Sequence, residues 1–307
     1  MSHCYRRTPV FEINEELFDN AGIRVLIKRE DQNHPEIAGN KWWKLKYNIE
    51  DALLHNYDTL LTFGGAYSNH IYATAAAACE NGFRSIGIIR GEETFPLNDT
   101  LSFAKAKGMQ LYYISREEYK QKNDPAFIEK LGKQFGRFYM IPEGGTNELA
   151  VKGCEEFAEK ILSQIEYDYL CLPVGTGGTI SGIICGLADN KKVIGVSVLK
   201  DGEFLKNVIS QRVKNYSGNF YENWSLLTSY HHGGYAKVTK ELMAFIEEMH
   251  LKHKLPLDRV YTAKMVWAMY EEIKKGIFER GSTLLLFHTG GLQGSSSSPN
   301  HLEKKSS

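Results

Sequence analysis

The chain has 307 residues, and its 37 Lys and Arg residues balance 37 Asp and Glu residues, so the formal net charge is zero. This balance excludes the basic surface that nucleic acids or anionic membranes would require. No apolar run is long enough to span a bilayer, and the start "MSHCYRRTPVFEI" has no apolar signal-peptide region. We therefore predict a soluble, cytoplasmic protein that does not act on a membrane.

Predicted strands alternate with helical segments along the whole chain. Strands are predicted at 24–28, 59–63, 85–89, 110–114, 137–141, 169–173, 193–198 and 284–288. Helical periodicity lies between them, for example at 147–165 and 263–277. This alternation indicates an α/β fold with mainly parallel sheets and helices on both faces. No Pro/Gly-rich linker separates two domains in series, and the Ser-rich end at 294–307 is expected to be a disordered tail.

Cysteine and histidine patterns argue against disulfides and metal binding. The five cysteines include no CxxC pair, and the ten histidines form no HExxH motif. Cys79 and Cys171 lie in apolar stretches, where a buried cysteine acts as a small hydrophobic residue. We therefore expect no metal ion and no disulfide.

A glycine-rich segment, "GTGGTISG" at 175–182, follows one predicted strand and opens a helix. Gly175, Gly177 and Gly178 would let backbone amides converge on one point, and Thr176 and Thr179 would add hydroxyl donors at a helix N-terminus. Ile180 excludes the dinucleotide GxGxxG pattern, and Ile183, after Gly182, excludes a P-loop. A phosphate cradle and a tight turn with nothing bound both fit this segment.

A second segment, "GNKWWKLKY" at 39–47, carries three lysines. Lys41 lies at the start of a predicted helix, where the N-terminus would favour its neutral, nucleophilic amine over a solvated surface ammonium. Lys44 and Lys46 follow at about 300° and about 140° around the helix, so the three cannot all face one pocket. One phosphate site and one nucleophilic lysine together suggest pyridoxal 5'-phosphate as cofactor.

At this point a family resemblance becomes specific. "GNK", "KLKY", "YSNH", "GTGGT", "HHGGYAKV" and "DRVYTAK" occur in the order found in the family of 1-aminocyclopropane-1-carboxylate deaminase and D-cysteine desulfhydrase. The resemblance runs from 27–31 to 287–291. It implies a pyridoxal-phosphate-dependent enzyme of fold type II, similar to tryptophan synthase β, with two domains and a homodimeric assembly. The implied domains are a large one, 1–47 plus 156–307, and a small one, 48–155.

The resemblance also implies roles for individual residues. Lys41 matches the Schiff-base lysine, and Asn69 matches the residue bonded to the cofactor's ring hydroxyl. The remaining implied assignments are Ser68, Tyr67 and His70 beside the substrate, Tyr235 and Tyr261 as active-site tyrosines, Gly175 to Thr179 as the phosphate loop, and Lys264 without a role. Ser68 also suits a helix N-cap, and the tyrosines also suit a core. Trp42, Trp43, Tyr67 and "YAK" depart from the family pattern.

Two threonines favour one of the family's activities. Where the resemblance to the deaminase would put a glutamate at the cofactor's ring nitrogen, this sequence has Thr262, and Thr289 replaces an aliphatic residue. A hydroxyl can bond that nitrogen but cannot keep it protonated as a carboxylate does. The favoured interpretation is β-elimination from a small amino acid, foremost D-cysteine to pyruvate, ammonia and sulfide. Deamination of 1-aminocyclopropane-1-carboxylate to 2-oxobutanoate and a non-catalytic cofactor-binding protein are the alternatives.

Overall fold

The computed structural model describes residues 5–294, which contain ten strands and eleven α-helices. Apart from Gly294, the predicted tail lies outside the described residues. The strands are β1 (Val10–Ile13), β2 (Arg24–Lys28), β3 (Thr59–Gly65), β4 (Arg84–Arg90), β5 (Met109–Ile114), β6 (Tyr139–Ile141), β7 (Tyr169–Val174), β8 (Lys192–Ser197), β9 (Trp224–Leu227) and β10 (Thr283–Phe287). The helices are α1 (Glu16–Ala21), α2 (Asn40–Leu54), α3 (Asn69–Glu80), α4 (Asp99–Ala106), α5 (Arg116–Lys120), α6 (Pro125–Phe135), α7 (Glu148–Lys160), α8 (Gly178–Leu187), α9 (Phe204–Ser217), α10 (Lys240–His253) and α11 (Thr262–Lys274).

The strands form two sheets. One has six strands in the order β1-β2-β10-β7-β8-β9, and the other has four in the order β5-β4-β3-β6. Every strand pair is parallel except β1 with β2, so the predicted α/β class with mainly parallel sheets is confirmed. The four-stranded sheet uses residues 59–141, and the chain enters it from the larger sheet and returns to that sheet afterwards. The exact domain boundaries, 1–47 plus 156–307 and 48–155, stay a prediction.

Helices cover both faces of each sheet because the strands are apolar on both faces. In β2, Val25 and Ile27 pack with α1, α10 and α11, whereas Leu26 points the other way, into the core formed with α2, α7 and α8. Successive side chains of a strand point to opposite faces, so the run "RVLIK" serves two cores. This arrangement holds the carboxyl ends of the strands at one edge, where the connecting loops lie.

Glycines set the close packing of α2, α7 and α8. A Cβ on Gly153 of α7 would collide with the carbonyl oxygen of Trp43 in α2, and a Cβ on Gly182 of α8 would collide with that of Val151. The backbones of these helices therefore lie so close together that only glycine, which has a hydrogen in place of a Cβ, fits at these two positions. The N-termini of α2 and α8 are thus fixed relative to each other.

A buried carboxylate ties the N-terminal segment to α2. Glu30 is fully buried; its Oε1 accepts hydrogen bonds from Tyr5 (3.0 Å) and Thr8 (2.5 Å), and its Oε2 accepts from Asn33 and from Trp43, both at 3.0 Å. Lys28 Nζ lies 3.5 Å from Oε1. The backbone continues this link, because Gly39 donates its N–H to the Glu30 carbonyl at 3.0 Å. The segment before α2 is consequently held by the hydrogen bonds of one buried side chain.

The two cysteines that were expected to be buried differ in exposure. Cys171 is buried in β7 as expected. Cys79 is exposed, and the expectation that it is buried is wrong because it lies on the solvent-facing last turn of α3.

Within residues 5–294, no helix combines the length and apolar character needed to cross a membrane.

Candidate active site

A cavity of about 320 Å³ lies at the carboxyl ends of strands from both sheets. Gly65 of β3, Arg90 of β4, Val174 of β7 and Thr289 just after β10 all line it. In parallel α/β folds this edge is where ligands bind. Of the residues singled out from the sequence, those lining the cavity are Lys41, Ser68, Asn69, His70, Gly175, Thr176, Gly177, Gly178, Thr179, Tyr235, Tyr261 and Thr289.

Lys41 lies in the first turn of α2, which begins at Asn40 after Gly39. Gly39 has φ +71°, and a Cβ there would collide with the carbonyl oxygen of Thr289, so only glycine fits this close approach. Burial lowers the pKa of Lys41 to about 8, against the opposing influence of Cys154 and Asp258. Among residues 5–294, Nζ donates one hydrogen bond, to the Asn40 side-chain oxygen at 3.1 Å. A buried amine with a lowered pKa and one hydrogen bond is chemically suited to act as a nucleophile.

Lys44 also lines the cavity, which the sequence interpretation missed. Its Nζ donates to the carbonyl oxygen of Gly144 and, at 2.8 Å, to Thr146 Oγ1. Burial, followed by the charge of Lys41, lowers its pKa well below the ordinary value for lysine. Two amines thus face one cavity, because residues three apart on a helix lie on the same side. Lys46 instead pairs with Glu156 and does not line the cavity.

The loop from Gly175 to Thr179 leads from β7 into α8, as predicted. Gly177 has φ +81° and precedes α8, whose first two residues, Gly178 and Thr179, line the cavity; the first N–H groups of a helix have no partner within the helix. Thr179 Oγ1 accepts a hydrogen bond from the Asn40 side chain at 2.9 Å, and Thr176 Oγ1 lies 2.6 Å from Thr146 Oγ1. With Lys44 beside Gly178, the arrangement offers backbone amides, hydroxyls and an amine to one anion.

On the opposite side, Ser68 caps α3. Its Oγ accepts hydrogen bonds from the backbone N–H groups of His70 (3.2 Å) and Ile71 (3.3 Å), so the capping role expected for this residue is confirmed. Because these bonds use only the oxygen's lone pairs, the hydroxyl proton can still be donated into the cavity. Asn69 Oδ1 accepts from Gln293 at 2.9 Å, which orients the amide.

Of the two residues flanking this pair, His70 lines the cavity and Tyr67 does not. The His70 ring is buried between Thr62 and Thr74, with Nε2 2.7 Å from Thr62 Oγ1. Thr62 donates its own proton to the Ile141 carbonyl, so His70 is the donor, and burial lowers its pKa well below the ordinary value. Tyr67 is 58% exposed and is not among the residues that line the cavity. Trp42 and Trp43 pack into the core, likewise away from the cavity.

Tyr235 and Tyr261 meet over the cavity, with ring centroids 6.0 Å apart and planes at 73°. Burial raises the pKa of both hydroxyls, and for Tyr261 the neighbouring Tyr235 raises it further, so both stay protonated. The buried carboxylate of Asp258 fixes the second tyrosine: Oδ1 accepts from the Tyr261 N–H and Oδ2 from the Thr262 N–H, both at 2.7 Å. Sequence reasoning missed Asp258, although "DRVYT" has the spacing of a side chain capping a helix N-terminus.

Thr262 is fully buried and follows Tyr261, but it is not a cavity-lining residue. Its backbone is held by Asp258, whereas its Oγ1 has no hydrogen-bond partner within the described part of the chain. Native proteins rarely leave a buried hydroxyl without a partner. This hydroxyl is therefore a candidate for contact with a bound group.

Two charged residues at the cavity were not singled out from the sequence. Arg90, the last residue of β4, is exposed and has its guanidinium 5.4 Å from the Tyr119 ring centre. Glu143 accepts a hydrogen bond from Tyr119 at 2.8 Å and lies 3.5 Å from Lys122. Among residues 5–294, Arg90 forms no ion pair, so its charge is free to attract an anion at the cavity.

Comparisons with known proteins agree with this arrangement. The family described as "Pyridoxal-phosphate dependent enzyme" matches residues 1–290. A Pyrococcus furiosus protein provisionally named 1-aminocyclopropane-1-carboxylate deaminase is 32% identical over 288 residues, covering 89% of this chain and 86% of that protein. A bifunctional D-cysteine desulfhydrase/1-aminocyclopropane-1-carboxylate deaminase of Arabidopsis thaliana is 32% identical over 311 residues, covering 94% and 77%.

Among solved structures, the crystal structure of an ACC deaminase homologue superposes with a TM-score of 0.84 at 28% identity, covering 94% of this chain and 91% of that one. Its agreement confirms the predicted fold. Together with the matched family and relatives, it shows that this chain belongs to the pyridoxal-phosphate-dependent enzymes, in the family of 1-aminocyclopropane-1-carboxylate deaminase and D-cysteine desulfhydrase.

Proposed function

We propose that the enzyme catalyses β-elimination from a small amino acid, foremost D-cysteine, which with one water gives pyruvate, ammonia and sulfide. The choice rests on Thr262, which stands where the resemblance to the deaminase would put a glutamate at the cofactor's ring nitrogen, and whose buried hydroxyl has no hydrogen-bond partner among residues 5–294. A hydroxyl leaves that nitrogen less protonated than a carboxylate would. The weaker electron sink suffices when a good leaving group, such as the sulfur of cysteine, departs from the β carbon.

The cavity residues fit pyridoxal phosphate. The cavity volume of about 320 Å³ suits a compact ligand. We propose that Lys41 holds the cofactor's aldehyde carbon, that Lys44 and the loop Gly175 to Thr179 hold its phosphate, and that Asn69 bonds its ring hydroxyl. A Cβ on Gly178 would lie 2.8 Å from Thr146 and 3.2 Å from Lys44 Nζ, so the space the phosphate needs exists only with glycine. When bound, the cofactor makes the hydrogen on the substrate's α carbon acidic.

On the substrate side, we propose that the start of α3 binds the carboxylate. The free proton of Ser68, the helix N-terminus and the nearby positive charge of Arg90 all favour an anion there. A Cβ on Gly65, just before this turn, would lie 3.6 Å from the Arg90 guanidinium, which places the charge close to the turn. Lys41, once its amine is free, is the base that removes the α proton, and the protonated tyrosines border the departing group.

The second candidate is deamination of 1-aminocyclopropane-1-carboxylate to 2-oxobutanoate. It is favoured by the names of the Pyrococcus furiosus relative and of the closely superposing crystal structure. The same lysine, serine and tyrosines would serve it, so the two candidates differ in what faces the ring nitrogen. A homodimer and a cytoplasmic location, implied by the family, complete the proposal; sedimentation equilibrium would measure the assembly.

The experiment that tests the proposal is a visible absorption titration of the holoenzyme with D-cysteine, D-cysteine methyl ester, L-cysteine and 1-aminocyclopropane-1-carboxylate, followed by product assays. Pyruvate and sulfide from D-cysteine alone, with weaker binding of the ester, are the expected results. 2-Oxobutanoate from the cyclopropane compound would establish the second candidate instead. Equal binding of D-cysteine and its methyl ester would contradict the proposal that Arg90 and the start of α3 bind the substrate carboxylate.

The lowered pKa of Lys41 gives a pH prediction for cofactor uptake. Only the neutral amine attacks an aldehyde; an amine with a pKa of about 8 is roughly a quarter neutral at pH 7.5, whereas an ordinary lysine is only about 0.1% neutral. The rate at which apoenzyme regains its cofactor absorption should therefore rise with pH, reach half its maximum near the pKa of about 8 and level off above about pH 9. Nα-acetyl-lysine, as a control amine, should keep accelerating to about pH 10. A profile for the apoenzyme that follows this control would contradict the lowered pKa.

A further inference from the structure

Lys264, in the first turn of α11, is a fully buried lysine without an assigned role. Its Nζ donates to the carbonyl oxygens of His231 at 2.8 Å and Gly234 at 2.7 Å. Within residues 5–294 it makes no ion pair. The charge of Asp258 acts on it from beyond ion-pair distance. Burying an ammonium group is costly unless hydrogen bonds compensate it, and the two backbone carbonyls supply these bonds.

The two carbonyls close successive turns of one loop. The His231 oxygen also accepts the N–H of Gly234 (3.0 Å), and the Gly234 oxygen also accepts that of Lys237 (3.1 Å). Lys264 therefore bridges both turns, and Tyr235 lies in the second of them. A single cationic donor that serves both acceptors fixes the turns relative to each other.

The loop needs such an anchor because its backbone is unfavourable. His232, Gly233, Gly234 and Ala236 all have positive φ, at 48°, 92°, 108° and 57°. For the two residues with a Cβ, this conformation costs on the order of 1 kcal/mol each and persists only where the surroundings hold it. The Lys264 bonds supply part of that support, next to the His232 ring, which packs on Trp267 of the same helix.

We propose that Lys264 is a positioning residue that ties the Tyr235 loop to α11, one helical turn beyond Tyr261, and so fixes the two tyrosine hydroxyls relative to each other. This inference deepens the proposed function and rests on it for the role of the tyrosines. Displacing a group by about 1 Å can slow an enzyme about 100-fold, so a loosened Tyr235 should slow turnover without removing the cofactor.

The first test measures position and needs no substrate. Holoenzyme carrying 3-fluorotyrosine at position 235 is observed by ¹⁹F NMR in the native chain, in Lys264→Met and in Lys274→Met. The control residue, Lys274, lies at the exposed end of the same helix and pairs with Glu271 at 2.7 Å. We expect Lys264→Met to shift and broaden the resonance and Lys274→Met to leave it unchanged. An unchanged resonance in Lys264→Met overturns the proposal, whatever the enzyme's substrate is.

The second test is a double-mutant cycle in kcat with the substrate that the wild type turns over. In the wild-type background, Lys264→Met should lower kcat about 10- to 100-fold while the cofactor absorption is retained. In the Tyr235→Phe background, the same change should lower kcat less than about threefold. An equal loss in both backgrounds would mean that Lys264 acts independently of Tyr235 and overturns the proposal. If Lys264→Met does not fold, Lys264→Gln, whose uncharged side chain is one bond shorter and so should not reach both carbonyls, is carried through both tests with the same criteria. Failure to turn over any amino acid would reject the proposed function but leave the ¹⁹F result decisive for the loop.

Discussion

Replacing Lys41 with alanine is expected to reduce turnover by at least about 1,000-fold and to remove the absorption of cofactor covalently attached to the chain. The expectation follows from the position of its amine in the cavity and from burial, which lowers its pKa to about 8. Absorption spectra of the reconstituted variant and a pyruvate assay measure both effects. The phosphate loop is untouched, so non-covalent cofactor binding should remain.

Two lysines of the same helix serve as controls for this variant. Lys46→Ala, which removes an ion pair with Glu156 away from the cavity, should keep both absorption and activity. Lys44→Ala should weaken cofactor binding through the phosphate but preserve the attached cofactor's absorption at saturation. If the absorption survives in Lys41→Ala and disappears in Lys44→Ala, Lys44 is the nucleophile and the assignment is wrong.

Replacing Glu30 with alanine is expected to lower the free energy of unfolding by about 3–5 kcal/mol, the usual cost of removing one partner from a buried ionic network. The change leaves Lys28 buried without its counter-ion and deprives Tyr5, Thr8, Asn33 and Trp43 of an acceptor. Urea unfolding of apoenzyme measures the loss without a contribution from cofactor binding.

The matched control is Glu12→Ala. Glu12 pairs with Arg24 at 2.7 Å, but both side chains are exposed, so the expected loss is far smaller than that of Glu30→Ala. Similar losses for the two variants would show that the Glu30 network does not stabilise the segment before α2. Cofactor affinity should also fall in the Glu30 variant, since the network holds Gly39 and, through it, Lys41.

Most of the fold could be predicted from the sequence because its strands are apolar on both faces. The run 24–28 was predicted with the bounds of β2, and the other seven predicted strands differ from β3 to β8 and β10 only at their ends. β1 and β9 were missed since each has four residues, of which Phe11, Glu12 and Ser225 are exposed, so neither shows a buried run. Short edge strands owe their structure to the neighbouring strand rather than to their own pattern.

Prediction of the site succeeded where a motif has a local shape and failed where contacts are distant. The loop at 175–179 and the cap at Ser68 can be derived from glycine spacing and helix ends. Lys44 was missed at the cavity because its angle of about 300° from Lys41 suggested a different face of the helix. That angle is only about 60° in the other direction, and side chains three residues apart are neighbours on a helix. Nothing in the sequence indicates that Lys264 bonds carbonyls about 30 residues earlier, because such pairing depends on tertiary structure.

The position of β10 has a consequence for synthesis of the chain. Of the strands in residues 5–294, β10 is the last to leave the ribosome, yet it lies between β2 and β7, and the carbonyl oxygen of Thr289, two residues after it, accepts the N–H of Asn40. Until residues 283–289 have emerged, β1 and β2 cannot join β7, β8 and β9, and the N-terminus of α2 lacks its neighbour. A nascent chain therefore already contains Lys41 but cannot complete a cofactor cavity until nearly all of the described sequence has been translated.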